Sequence, residues 1–150
     1  MVRARVGISG WRYPGWRGDF YPAGLPQRLE LEYAAERMGS IEINGTFYSL
    51  QRKSSFENWR DRTPPDDFVF AVKGGRFVTH LKRLVDVDEA LANFFASGVP
   101  ALGPKLGPLL WQLPPTMAFE PDRLAGFCAQ LPRTTSDAAV LASRRTDKVP

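Results

Sequence analysis

Residues 40–72 contain, in order, the segments SIEIN (residues 40–44), SSFENWRDR (residues 54–62) and FVFAV (residues 68–72). The first alternates polar and apolar residues, which predicts a β-strand, and the third is rich in strand-forming residues. The middle segment places Phe56 and Trp59 three residues apart, on one face of a short helix. Because a helix lies between the two strands, they cannot form a hairpin and must be parallel.

The same alternation of strand and helix continues on both sides of this unit. Gly10 breaks the first strand, Gly39 ends the first helix, and two prolines follow the fourth strand. The further predicted elements are strands at Val2–Ser9 and Leu109–Leu113, and helices at Leu29–Met38, Asp88–Phe95, Pro121–Leu131 and Ser136–Arg145, the last with Ser136 as its N-cap.

Four successive strand–helix units place the protein in the α/β class, with parallel strands joined by right-handed crossovers. We expect residues 1–150 to form one domain of about four such units. The pattern by itself fits two architectures equally well. One is an open, doubly wound sheet, and the other is part of a (β/α) barrel.

Composition narrows the class of protein. With 43% hydrophobic residues, the chain can bury a core, and no stretch reaches the ~20 apolar residues of a membrane span. No apolar signal core follows Met1, so we expect a cytoplasmic protein without a membrane partner. The single cysteine excludes an internal disulfide. The formal charge of +4 is a mild basic excess, which permits a nucleic-acid partner. Because no long basic run accompanies it, such a partner is the less favoured alternative.

Four sequence blocks choose between the two architectures. They are GISGWRYPGW with FYP (residues 7–16 and 20–22), IEINGTFY (41–48), FAVK with THLK (70–73 and 79–82), and LGPLLWQLPP (106–115). Together and in this order they resemble the YecE-like family, also called domain of unknown function 72. The resemblance implies a TIM-type barrel, so we expect four parallel strands in sequential order, forming the N-terminal portion of that barrel.

The length of the chain qualifies this resemblance. An eight-unit barrel needs ~250 residues, so we expect this 150-residue chain to supply its N-terminal half, as a truncated form or a fragment. The first and fourth strands would then be unpaired edges. Such edges favour self-association.

In a (β/α) barrel, functional side chains lie at the C-terminal ends of the strands. The residues that the sequence places there are polar or aromatic. We predict catalytic roles for Glu42, Lys73 and His80, and ligand-binding roles for Ser9, Trp11, Tyr13, Trp16, Asn44, Thr46, Tyr48 and Gln112.

Each assignment has a plainer structural alternative. Glu42 and Asn44 are two apart on a strand and share a face, where Glu42 is either an acid–base group or half of a structural bridge to Lys73. His80 is the only histidine, so a two-histidine metal site is excluded from this half and none is predicted. His80 either transfers a proton or caps a turn by hydrogen bonding. The aromatic residues from Trp11 to Tyr21 either stack on a ligand or pin a long loop.

Three function classes therefore remain. The leading hypothesis is a barrel enzyme that acts on a small polar or phosphorylated ligand, with the reaction and any cofactor unspecified. The second is a nucleic-acid-binding or processing protein, in which cations contact phosphates while Trp11 or Trp16 stacks on bases. Its cations would be Arg12, Arg17, Lys73, Arg76, Lys82 and Arg83. The third is a non-catalytic structural or interaction protein.

Overall fold

A computed structural model describes residues 4–150 of the chain. Four strands, β1 (Gly7–Ser9), β2 (Ser40–Ile43), β3 (Val69–Lys73) and β4 (Leu106–Leu110), form one sheet. All neighbouring strands are parallel, and their order is β1-β2-β3-β4. This confirms the sequential order that a TIM-type barrel requires and that a doubly wound sheet would break. The first two residues predicted for β1, Val2 and Arg3, lie outside the described residues.

Helices connect and follow the strands. They are α1 (Glu30–Ala35), α2 (Gly45–Tyr48), α3 (Lys53–Asp61), α4 (Asp88–Ala96), α5 (Pro121–Gln130) and α6 (Thr135–Ala142). Short 3-10 turns occupy Pro14–Trp16, Gln27–Leu29 and Val99–Lys105, and a single π-helical turn spans Phe77–Leu81. Within residues 4–150, no helix is both long and apolar enough to cross a membrane.

The core lies between the helices and one face of the sheet. Ile41 and Ile43 of β2 and Phe70 and Val72 of β3 are almost completely buried, and they pack in one cluster with Phe56 of α3. Burying a side chain of this size contributes about 1.5–3 kcal/mol. The alternate residues of the same strands are only half-buried, so helices cover just one face.

Strand β4 corrects both boundaries of the sequence prediction. It begins at Leu106 and ends at Leu110, three residues earlier than predicted, because Gly107 and Pro108 belong to the strand rather than to a turn. The register shifts beside them, where β4 has one more residue than β3. A Cβ on Gly107 would lie 2.7 Å from the carbonyl oxygen of Phe70, which explains the glycine. The proline is tolerated because β4 is an edge strand.

The start of α6 is also corrected. Its N-cap is Thr134, not Ser136, because Thr134 accepts a hydrogen bond from the backbone N–H of Asp137 and the Asp137 carboxylate accepts one from the backbone N–H of Thr134. This reciprocal pair forms a capping box. The prediction for α1 was too long, whereas α3, α4 and α5 begin and end within about one residue of their predicted bounds.

Candidate functional site

The C-terminal ends of the strands carry the polar side chains that the sequence predicted there. In the sheet register, Ser9 is paired with Glu42, and Glu42 is paired with Ala71 of β3. Glu42 is half-buried between two fully buried isoleucines, so it lies on the face opposite to the helices. Asn44 directly follows β2 and continues this edge. The alternation that the sequence implied for Glu42 is therefore present.

Three of these side chains form a hydrogen-bonded chain, here called the polar relay. Nδ2 of Asn44 donates to Oγ of Ser9 at 2.8 Å, and Oγ of Ser9 donates to Oε1 of Glu42 at 2.6 Å. The Tyr13 hydroxyl fixes the same strand end by donating to the backbone carbonyl of Ser9 at 2.5 Å. Residues from β1, β2 and the first loop are thus joined at one point.

A cavity of about 490 Å³ opens beside the polar relay, and it is called the mouth pocket below. Its walls include Trp11 and Trp59, whose rings meet edge to face with centroids 5.7 Å apart. Asn44 lines it too, and its buried Oδ1 has no hydrogen-bond partner among residues 4–150. A buried acceptor without a partner is costly, and the cost falls when a ligand supplies a donor.

Four further residues with polar or aromatic side chains line the mouth pocket without having been predicted as small-ligand contacts: Arg12, Gln51, Ser55 and Trp59. Arg12 is exposed, and within residues 4–150 it makes no ion pair. Arg12 lies between Trp11 and Tyr13, which were predicted to bind ligand, so the sequence could have indicated Arg12 as well. Gln51 and Ser55 gave no such signal, because only the path of the chain after β2 brings them to the pocket.

Lys73 and His80 lie beside a different side chain, Phe47 of α2. Nζ of Lys73 is 4.8 Å from the centre of the Phe47 ring, and the His80 ring meets the same ring edge to face at 5.1 Å. Nδ1 of His80 is 2.8 Å from the hydroxyl oxygen of Thr79. Among the described residues, Lys73 forms no ion pair with Glu42, so the structural bridge considered from the sequence is not formed.

Thr46 and Tyr48 have different surroundings. The Thr46 side chain is buried, and its hydroxyl faces the carbonyl oxygens of Ile43 at 3.0 Å and Lys73 at 2.6 Å. It therefore ties α2 to the ends of two strands rather than facing the mouth pocket. Tyr48 is largely exposed and lies under the guanidinium of Arg76, 5.9 Å from its ring centre.

The first loop combines the two roles considered for its aromatic residues. Trp11 and Tyr13 line the mouth pocket, while Trp16, Phe20 and Tyr21 pack against one another and on the core. Burial, and then the nearby Glu30 carboxylate, raise the pKa of Tyr21 to about 12. Its hydroxyl donates to the Trp11 carbonyl at 2.6 Å, which holds Trp11 in place.

Two residues near β4, Gln112 and Gly74, lie away from the mouth pocket. Gln112 follows the end of β4 by two residues, is exposed, and does not line the mouth pocket. Gly74, which directly follows β3, has a packing role. A Cβ there would lie 2.2 Å from Cε3 of Trp111, so the indole ring occupies the space of the missing side chain.

The acidic, histidine and cysteine side chains of the described residues are dispersed. Residues 4–150 contain no group of three or more histidine, cysteine, aspartate or glutamate side chains that could hold a metal ion. The described groups at and near the mouth pocket are one carboxylate, amide and hydroxyl groups, cationic side chains and aromatic rings. Such a set can orient a polar ligand and exchange a proton with it.

Comparison with known proteins agrees with the fold. A solved crystal structure, a DUF72 family protein (EF0366) from Enterococcus faecalis V583 at 3.10 Å resolution, superposes with a TM-score of 0.64 at 18% identity. The match covers 83% of this chain and 45% of that one. A second structure of that protein, at 2.52 Å, gives a TM-score of 0.57 at 17% identity over the same shares of both chains.

Sequence comparison gives the family. The UPF0759 protein YunF of Bacillus subtilis (strain 168) is 27% identical over 125 residues, which are 80% of this chain and 43% of that protein. The chain thus spans less than half the length of the relatives that it matches. The family described as "Protein of unknown function DUF72" matches residues 5–142. This chain therefore belongs to the DUF72 family, as its four sequence blocks predicted.

Proposed function

We propose that the mouth pocket binds a small polar ligand and that the chain is part of a barrel-type enzyme. The observation that carries the proposal is the position of the mouth pocket. It opens where β1 and β2 end, and Asn44 lines it, joined through Ser9 to the carboxylate of Glu42 behind the pocket wall. Enzymes with (β/α) barrels have their active sites at this end of the strands.

The walls of the mouth pocket fit a ligand with a flat or ring-shaped body. Trp11 and Trp59 offer large apolar surfaces, and Asn44, Gln51 and Ser55 supply polar groups around them. Apolar walls with a few polar groups are typical of small-molecule sites, and about 490 Å³ lies within their usual range. A ring with polar substituents can contact both kinds of surface.

The proposed catalytic group is Glu42. It accepts a hydrogen bond from Ser9 on the half-buried face of the sheet, and within residues 4–150 it has no cationic partner. Glu42 does not line the mouth pocket itself, so it can exchange a proton only with a part of the ligand that extends past Asn44 over the open face of the sheet. Lys73 and Arg76 lie over aromatic rings, and neither has an acidic partner in the described part of the chain. They favour a phosphorylated ligand.

The nucleic-acid alternative is weakened by the partners of two of its cations. Nε of Arg17 binds the fully buried carboxylate of Glu30 at 2.7 Å. A guanidinium nitrogen of Arg83 donates to the Thr116 carbonyl at 3.0 Å. Both groups therefore have intramolecular partners, which favours a small ligand over an extended polyanion.

The proposal is tested by NMR on the ¹⁵N-labelled chain. Polyols, sugars and sugar phosphates are added singly while the indole N–H signals of Trp11 and Trp59 are followed. The signal of Trp111, which packs between the core and α5, serves as the control. We expect at least one class of compound to shift the first two signals and leave the third in place. If no compound shifts them, the mouth pocket is not a ligand site.

We also propose that the open sheet edge mediates self-association. Strand β4 is paired on one side only, and its Leu110 side chain is 44% exposed. Exposed apolar edges favour pairing with another chain. Light scattering after size-exclusion chromatography should give a mass above that of the monomer, and Leu110→Lys should lower it. A monomeric wild-type chain at high concentration would refute this second proposal.

A further inference from the structure

Resting on the proposed function, we infer that Glu42 acts through Ser9 to fix the orientation of the Asn44 amide, so that the mouth pocket selects a ligand group that donates a hydrogen bond. The class of ligand that follows carries a hydroxyl or amine on its ring at this point. Glu42 is thereby a specificity-determining residue as well as the proposed acid–base group.

The Ser9 hydroxyl has a single hydrogen. Its Oγ lies 2.6 Å from Oε1 of Glu42, and an ionised carboxylate can only accept hydrogen bonds. The hydroxyl hydrogen must therefore point at Glu42. Toward Asn44, at 2.8 Å, Oγ is left with lone pairs alone. The group of Asn44 that faces Ser9 must consequently be the NH₂ group, which is the arrangement observed.

This orientation determines what Asn44 offers elsewhere. With Nδ2 facing Ser9, the carbonyl oxygen Oδ1 is the remaining polar atom of the side-chain amide, and it is buried without a partner. Oδ1 can accept a hydrogen bond but cannot donate one. Because Oδ1 has almost no accessible surface, a ligand group reaches it only when the wall of the mouth pocket beside Asn44 moves. A hydroxyl or amine group then donates to Oδ1, whereas an ionised phosphate, a carboxylate or a ketone oxygen has no hydrogen to donate. A phosphorylated ligand would place its phosphate elsewhere, for example toward Lys73.

Replacing Glu42 by glutamine removes the constraint on Ser9. The glutamine amide can donate to Oγ of Ser9, which frees the hydroxyl hydrogen for Oδ1 of Asn44. The Asn44 amide can then turn, so that its NH₂ group becomes available to a ligand. The shape of the mouth pocket is unchanged by this nearly isosteric substitution. Only its preference for donors over acceptors should change.

The test uses two probes of the same size, cyclohexanol and cyclohexanone. The alcohol donates and accepts hydrogen bonds, while the ketone only accepts them. Each is titrated into the ¹⁵N-labelled chain, and its Kd is read from the indole signals of Trp11 and Trp59. We expect the alcohol to bind the wild-type chain about fivefold to tenfold more tightly, as one hydrogen bond to a buried acceptor implies.

Two variants test the polar relay. In Glu42→Gln and in Ser9→Ala, the alcohol preference should fall to about twofold or less, or reverse, while both probes still shift the indole signals. Glu36→Gln is the matched control, because Glu36 is exposed at the end of α1 and belongs neither to the polar relay nor to the lining of the mouth pocket. It should keep the wild-type preference. Ser9 is exposed, so Ser9→Ala provides a variant that does not disturb the core.

The outcomes separate this inference from the proposed function. If neither probe shifts the signals of Trp11 or Trp59, the mouth pocket does not bind ligands and the proposed function fails. If both probes bind the wild-type chain equally well, the pocket is a site but the Asn44 orientation does not select the ligand. A full alcohol preference in both Glu42→Gln and Ser9→Ala likewise overturns the role of the polar relay.

Discussion

The two faces of the sheet differ although the same strands build both. On the helix side, Ile41, Ile43, Phe70 and Val72 are buried in one apolar cluster. On the opposite side, the alternate residues of β2 and β3 are half-buried, and Glu42 there takes part in the polar relay with Ser9 and Asn44. Residues adjacent in sequence thus meet entirely different surroundings.

This difference separates stability from function within one element. Apolar burial dominates the free energy of folding, so substitutions on the helix side should act mainly on stability. The relay residues are partly exposed, and hydrogen bonds of this kind contribute only about 0.5–1.5 kcal/mol each. Substitutions there should act mainly on ligand binding. Four predictions test this contrast, beginning with the largest effect.

The largest effect is expected for Phe70→Ala. Phe70 is fully buried, and truncating such a ring costs about 3–5 kcal/mol because apolar contacts are lost and a cavity remains. Val69→Ala is the matched control, since Val69 precedes Phe70 on β3 but lies half-buried on the other face. Urea unfolding should show a much smaller loss for the control. Equal losses would mean that the faces do not differ in stability.

The second effect concerns the close approach of Trp111 to β3. In Gly74→Ala the new Cβ would lie 2.2 Å from the indole ring, and overpacking of this kind costs about 1–3 kcal/mol. The neighbouring Gly75→Ala is the control, because its Cβ would be 3.7 Å from the nearest atom. Thermal unfolding should separate the two variants. If both melt alike, Trp111 can move away from β3 at little cost.

The third effect is a pH dependence that originates in the first loop. The pKa of Tyr21 is raised to about 12, so its neutral form stabilises the folded chain. That contribution is complete below pH 10, the ordinary tyrosine value, and is lost as the pH rises toward 12. The difference in unfolding free energy between wild type and Tyr21→Phe should therefore shrink over this interval. Tyr48→Phe, a substitution of an exposed ring, should lose as much unfolding free energy between pH 10 and 12 as wild type does.

Much of the fold could be predicted because regular alternation reports which face is buried. The pattern of β2 placed Glu42 away from the helices, and the repeated strand–helix units gave the parallel order. The position of β4 could not be predicted this way. Gly107 and Pro108 are typical of turns, and only the bulge and the sheet edge make them compatible with a strand.

The candidate site could be predicted less completely. Ser9 and Asn44 were found from strand ends, but nothing in their spacing indicated that a shared hydrogen-bond chain with Glu42 would join them. Trp59 was recognised as an apolar residue of a helix, and its contact with Trp11 depends on how α3 packs beside the first loop. Contacts between elements that are distant along the chain require the tertiary structure.

The smallest effect on stability, and the most direct test of the contrast between the faces, is expected for Glu42→Gln. Urea unfolding of this variant should give a free energy within about 1 kcal/mol of wild type, because one exposed hydrogen bond is altered and no apolar contact is lost. Its alcohol preference in the mouth pocket should nevertheless disappear. A loss of several kcal/mol with the ligand preference intact would contradict the account, since Glu42 would then stabilise the fold rather than serve the site.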